Sequence, residues 1–228
     1  MKRIVIAIDG PAGAGKSTVS RRLADALGYR YIDTGAMYRV IGVLAAERGV
    51  AFSDTAALAA LCDATQIEFV ERDGALQVLA AGRDLSAAIR TAEAGQLASK
   101  VSTVPEVRTR LVAQQRRMAA GGGVVMEGRD IGTVVCPDAP VKVYLEAAAA
   151  ERAQRRAAEL RARGASVDLE QMTNEILERD ARDSARAHSP MRPAPDAVVV
   201  DTTGKDIDAV VNELRALVRS RTEALARY

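Results

Sequence analysis

Ile4-Val5-Ile6-Ala7-Ile8-Asp9-Gly10-Pro11-Ala12-Gly13-Ala14-Gly15-Lys16-Ser17-Thr18 sets an apolar run against a glycine-rich turn that ends in a lysine and two hydroxyl residues. The turn matches the spacing G-x-x-x-x-G-K-[ST] in the context that pattern needs, with a buried strand before it and a helix over 17–27 after it. Glycines let successive backbone N–H groups point into one concavity, and a helix N-terminus adds partial positive charge. Gly10, Pro11, Ala12, Gly13, Ala14 and Gly15 therefore predict a cradle for a nucleoside triphosphate, continued by Lys16, Ser17 and Thr18. Lys16 is expected to reach the β- and γ-phosphates, and the Ser17 hydroxyl to ligate Mg²⁺. Only five lysines stand beside 27 arginines in the chain, which makes a lysine at this position notable.

Working outward, short apolar runs at 3–9, 29–33, 124–126, 141–145 and 197–201 read as buried parallel strands separated by helical patterns. The expected fold is α/β, a five-stranded parallel sheet flanked by helices. Right-handed crossovers place every strand's C-terminal end on one edge, where ligands bind. Two segments break the alternation. In 54–90, a helix at 55–64 precedes β-rich runs at 66–70 and 76–79, joined by a turn containing Asp73-Gly74; this predicts an inserted subdomain with a small antiparallel sheet. In 151–186, eight arginines and eight acidic residues form a helical hairpin broken at Gly164-Ala165-Ser166. The remaining core is expected to be 1–53, 91–150 and 187–228.

Composition narrows the classes. A net charge of +2 excludes a strong field for nucleic acid or membrane, and no stretch approaches the roughly 18 apolar residues of a spanning helix. The first apolar run is too short for a signal peptide, and Cys62 and Cys136 show no metal-type spacing. A soluble, cytoplasmic protein with two reduced thiols is expected. No long apolar face is left over for an obligate partner, so a monomer is expected.

The second ligand is read from arginines. Arg39 and Arg129 both follow strand ends and, beyond Lys16, imply a second dianionic group, which the planar guanidinium fork suits. Arg179, Arg182, Asp183 and Arg186 recur at i, i+3, i+4 and i+7 along one helix face, and Arg152, Arg155 and Arg156 do the same on the other arm. Such faces suit a lid closing over phosphates. Asp33-Thr34-Gly35 is a single copy on an α/β edge, not the paired carboxylates of an aspartic protease. Asp201-Thr202-Thr203-Gly204 resembles a GTPase switch, but no guanine-reading Asn-Lys-x-Asp accompanies it.

Four blocks together resemble the bacterial cytidylate kinases: Gly10 to Thr18, Asp33 to Arg39, Glu127 to Val135, and Arg179 to Pro190, the last with the spaced pattern D-x-x-D-x-x-R-x-x-S-P. The resemblance implies a P-loop kinase with an enlarged nucleotide-binding insertion at 54–90 and a helical lid at 151–186. It further implies ATP with Mg²⁺ as donor and CMP or dCMP as acceptor. Ser99, Arg108 and Asp130 would read the cytosine, and Arg39, Arg129 and Arg179 would hold the monophosphate. Asp33 and Thr34 would lie beside them, with Asp183 and Arg186 at the sugar. Lys16, Arg129, Arg179 and Arg182 would be catalytic, and Arg155 and Arg156 would join the ATP contacts. Met191 stands where the family commonly has leucine, a conservative change. Two rivals remain open at this level, a small-metabolite kinase acting on a hydroxyl and a non-transferring nucleotide switch. His188, the single histidine, reads as a helix-end residue.

Overall fold

The computed structural model describes residues 3–72, 74–162 and 164–225. The chain runs β1 (Val5–Asp9), α1 (Lys16–Leu27), β2 (Arg30–Asp33), α2 (Thr34–Glu47), α3 (Thr55–Asp63), β3 (Ile67–Arg72), β4 (Ala75–Ala80) and β5 (Arg83–Asp84). There follow α4 (Ala92–Val101), α5 (Pro105–Ala119), β6 (Val124–Gly128), β7 (Val141–Glu146), α6 (Ala149–Arg161), α7 (Leu169–Ser184), β8 (Val198–Asp201) and α8 (Ile207–Leu225). A 3₁₀ turn at Ala88–Arg90 and a π-turn at Ile131–Val135 complete the order. Two compact units result, one of residues up to Tyr31 and from Ala119 onward, the other Ile32–Met118.

The first unit carries the five-stranded sheet, in the order β2-β6-β1-β7-β8. β1 is central and pairs in parallel with both β6 and β7, Asp9 lying opposite Gly128 on one side and Tyr144 on the other. Its Ile6, Ala7 and Ile8 are wholly buried, which is why this strand reads as a continuous apolar run rather than an alternating one. Helices bury one stripe each: Val19 and Leu23 on α1, and Val210, Leu214 and Val218 on α8 at intervals of four. The parallel register brings the C-terminal ends of β1 and β6 level, so Asp9 and Gly128 each open onto a ligand-binding turn.

The second unit has its own core of Met37, Ile41, Leu58, Ile67, Leu85, Ile89 and Leu111. Helices α2, α4 and α5 supply part of it, so this unit reaches beyond 54–90 on both sides. Asp33, Asp54 and Thr91 cap α2, α3 and α4, each side chain accepting an N–H three residues on. The small sheet is antiparallel as expected, with Ile67 opposite Ala80, and it has a third strand, β5. Two residues without apolar alternation give β5 no sequence signal; it is held where Ser86 Oγ accepts from Val78 N at 2.8 Å. Asp73 of the expected Asp-Gly turn lies outside the described residues. Among the described residues no helix is long and apolar enough to cross a membrane.

Gly42 of α2 meets α4 so closely that a Cβ there would lie 2.8 Å from Leu97 Cβ and 3.0 Å from its carbonyl carbon. Gly95 of α4 has open space around it. In urea unfolding, Gly42→Ala should destabilise by about 2 kcal/mol through overpacking. Gly95→Ala should stabilise by about 0.5 kcal/mol through helix propensity. Equal effects at the two sites would refute close packing at Gly42.

Candidate active site

Gly10 holds φ at 145°, and a Cβ there would sit 2.0 Å from the Leu145 carbonyl oxygen, so only glycine lets the loop leave β1 beside β7. Gly13, with φ 78°, also passes close to Arg152, where a Cβ would lie 2.8 Å from the Arg152 carbonyl oxygen. Gly15, in the left-handed region, starts α1. Three elements brace the loop from outside. Arg152 donates to the carbonyls of Ala12 (3.0 Å) and Ala147 (2.9 Å) and is paired with Asp180. The Thr202 hydroxyl lies 3.3 Å from the Ala14 carbonyl oxygen. Arg155 in turn donates to both oxygens of Thr202, at 3.0 and 2.8 Å, and pairs with Glu151.

Lys16 is buried and curls over the loop, its Nζ donating to the Pro11 carbonyl at 2.6 Å. Burial and the neighbouring Arg129 and Arg179 lower its ammonium from the usual range to about 7, against the opposing pull of Glu127 and Asp9. Ser17 and Thr18, the next residues of α1, are exposed. Glu127, at the end of β6, is buried and accepts from the Tyr31 hydroxyl, while Arg21 stacks over the Tyr31 ring.

The arginines converge on a carboxylate. Asp183 is almost wholly buried and pairs with Arg186, with Arg129 Nε at 3.0 Å, and with Arg179 Nε at 3.9 Å. Burial alone would raise the Asp183 carboxyl, but Arg129, Arg186 and Arg179 outweigh it and hold the group below its ordinary value. The i, i+4, i+7 face of Arg179, Asp183 and Arg186 thus meets Arg129 from the end of β6. Arg182 stands apart and exposed, donating back to the Glu178 carbonyl at 3.4 Å. Arg156 pairs with Glu159 on its own helix. His188 is exposed beyond the end of α7.

Asp130, buried, opens the π-turn, its carbonyl accepting from Val134 N (2.9 Å) and Val135 N (3.2 Å). Within the second unit, Arg39 donates to the Ile89 carbonyl at 3.2 Å. Arg108 is buried beneath Tyr38, with its guanidinium 5.5 Å from the ring centroid and 3.4 Å from the Ser102 carbonyl. Ser99 is buried on α4 and Thr34 on α2, while Asp33 accepts from Ala36 N as the α2 cap. Sequence reasoning passed over Asp9, Thr202 and the bracing role of Arg152. The available signal for Asp9 was a carboxylate ending an otherwise apolar buried strand; for Thr202 it was a place just after the last strand, and for Arg152 a place on a cationic helix face, neither of which tells a brace from a ligand contact.

A family profile described as cytidylate kinase matches residues 6–220 of this sequence. The chain belongs to the cytidylate kinase family. Among curated members of that family, the cytidylate kinase of Syntrophotalea carbinolica is 51% identical over 97% of this chain and 94% of the relative. The cytidylate kinase of Geobacter sulfurreducens is 47% identical over 97% of this chain and 95% of the relative. A gluconokinase from Sinorhizobium meliloti superimposes with a TM-score of 0.51 at 17% identity, covering 99% of this chain and 98% of that one, a likeness of fold alone.

In this cytidylate kinase family member, Asp183→Asn leaves three arginines around a neutral amide and should destabilise by about 3 kcal/mol. Because the folded-state carboxyl is depressed, that advantage is present above the ordinary aspartate range. It is lost progressively as pH falls from about 4 through the depressed value, so the gap between wild type and variant should begin to narrow below about pH 4. Unfolding curves from pH 3 to 8 measure this; a gap independent of pH would show that the loss is not one of charge.

Proposed function

We propose that the chain transfers the γ-phosphoryl group of ATP to CMP or dCMP, giving ADP and CDP or dCDP. The observation that carries this is the pairing, within one unit, of a braced phosphate loop bearing Lys16 with an arginine trio gathered on Asp183. One set of cations suits a triphosphate and the second a further phosphate, as two-nucleotide phosphoryl transfer needs. Membership of the cytidylate kinase family, at 51% identity to one curated member, supports the choice of CMP.

Gly10, Pro11, Ala12, Gly13, Ala14, Gly15, Lys16, Ser17 and Thr18 hold the triphosphate, with Arg155 and Arg156 alongside. The CMP phosphate is assigned to Arg39, Arg129 and Arg179, and the sugar to Asp183 and Arg186; Asp33 and Thr34 are assigned to CMP binding as well. Ser99, Arg108 and Asp130 read the base. Asp130 accepts from the cytosine N4 amine; uracil would turn an oxygen toward that carboxylate. The attacking oxygen belongs to a phosphate whose second pKa is about 6, so no general base is needed. It forms a bond to the γ-phosphorus as the bond to the β-phosphate oxygen breaks. Lys16, Arg129 and Arg179 neutralise the charge of that passage, and Arg182, exposed on α7 outside their cluster, is assigned to join them from the lid.

Mg²⁺ fits the donor set. Among the described residues no group of three or more His, Cys, Asp or Glu side chains could cage an ion, whereas Ser17 offers one exposed hydroxyl. A hard cation that keeps its waters and arrives on phosphate oxygens asks for no more. When bound it would polarise the phosphates and offset their charge. Segment 151–186, with α6 and α7, serves as the lid, and 54–90 serves as the nucleotide-binding insertion within the second unit, Ile32–Met118. The enzyme works as a cytoplasmic monomer with no nucleic-acid or membrane partner.

ADP release measured against a panel of acceptors tests the whole assignment. CMP and dCMP should stimulate it, whereas sugars, sugar acids and shikimate should not; stimulation by a hydroxyl acceptor, or by none, would overturn it. Lys16→Ala should lower kcat about 1,000-fold with an unchanged circular-dichroism spectrum. Asp130→Ala should lower the CMP-to-UMP ratio of kcat/KM roughly tenfold, and an unchanged ratio would place the cytosine reader elsewhere.

A further inference from the structure

We propose that Asp9 is the positioning residue of cytosine selection, its carboxylate pinning the turn that presents Asp130. The inference rests on the reading of Asp130 as the group that accepts from the base. Asp9 ends the central strand β1, is almost wholly buried, and is the residue before Gly10. Its Oδ1 accepts from Ile131 N at 2.8 Å and its Oδ2 from Gly132 N at 2.7 Å. Each carboxylate oxygen thus takes one of the two peptide N–H groups that follow Asp130.

Those two donors need an outside partner. In the π-turn Ile131–Val135, the N–H groups of Val134 and Val135 return to the Asp130 carbonyl and that of Cys136 to the Ile131 carbonyl at 2.7 Å. The first N–H groups of such a turn have no acceptor within it. Asp9 supplies one from a different strand, across 122 and 123 residues of sequence. The fit is close: a Cβ on Gly132 would lie 3.4 Å from Asp9 Oδ2 and 3.3 Å from Lys142 Cδ. Asp130 itself sits at φ −147°, ψ 25°, between the strand and helical regions, a conformation that its surroundings must hold.

The chemistry of the pin is that of an anion. Burial pushes the Asp9 carboxyl up to about 6; the Gly132 and Ile131 N–H bonds and Lys16 oppose that rise, and Asp130 adds to it. An ionised carboxylate accepts at both oxygens, whereas an amide of the same shape accepts at one and donates at the other. Asp9→Asn therefore turns one N–H bond into two facing donors while changing the volume little.

The test uses the full chain and compares kcat/KM for CMP and UMP, a ratio independent of the fraction of enzyme that is folded. Asp9→Asn should lower the ratio about fivefold, with KM for ATP within about twofold of wild type. Asp9→Ser, which keeps one acceptor in a smaller side chain, provides a second variant should the asparagine fold poorly. Combining Asp9→Asn with Asp130→Ala should lower the ratio no further than Asp130→Ala alone. Should Asp130→Ala lower the ratio while both Asp9 variants leave it unchanged, slowing CMP and UMP alike, the positioning role is overturned and the reading of Asp130 stands. If Asp130→Ala leaves the ratio unchanged, both fall.

Discussion

Like charges are crowded at the ligand edge of the five-stranded sheet, and buried carboxylates hold them there. Lys16, Arg129 and Arg179 are near enough for each arginine to lower the lysine's affinity for its proton. Two unit charges 4 Å apart repel by roughly 4 kcal/mol near a protein surface. Asp183 draws Arg129, Arg179 and Arg186 to one point, while Glu127 and Asp9 offset part of the field at Lys16. The cations are consequently ordered by the protein itself, so the transferring phosphoryl group meets charges already in place.

A second use of charge runs alongside the first. Arg152 and Arg155 direct their guanidinium groups to main-chain carbonyls at Ala12, Ala147 and Thr202 and to the carboxylates Asp180 and Glu151. A guanidinium carries several donors in a fixed fork, so one residue can fasten two segments of backbone, which an ammonium cannot do with the same geometry. This gives a structural meaning to part of the arginine excess: some arginines shape the loop and others meet the ligand.

The sheet and the phosphate loop could be read from the chain because both depend on local signals. A buried parallel strand is a short apolar run, and the positive φ of the loop demands glycine where the pattern has it. The family blocks made Asp183 and Arg129 visible through spacing. What escaped depends on contacts far apart in the chain. Strand β5 is two polar residues shaped by Ser86 and Val78. Arg152, on the same helix as Arg155 and Arg156, reads as one more member of a cationic face, and only its contacts with the Ala12 and Ala147 carbonyls and with Asp180 show it to be a brace. The extent of the second unit was equally hidden, since α2, α4 and α5 carry apolar stripes that do not say which core they enter.

Thr202 completes the phosphate loop from 188 residues downstream, reaching the Ala14 carbonyl after every other strand has been laid down. The first ligand-binding element of the chain to be made is thus among the last to be finished. On the ribosome, the loop emerges early but lacks its clasp until β8 has left the exit tunnel. A partly synthesised chain would therefore meet cellular ATP without a complete cradle. A contact of such long sequence separation forms only once the last strand is in place, which puts this hydrogen bond late in folding.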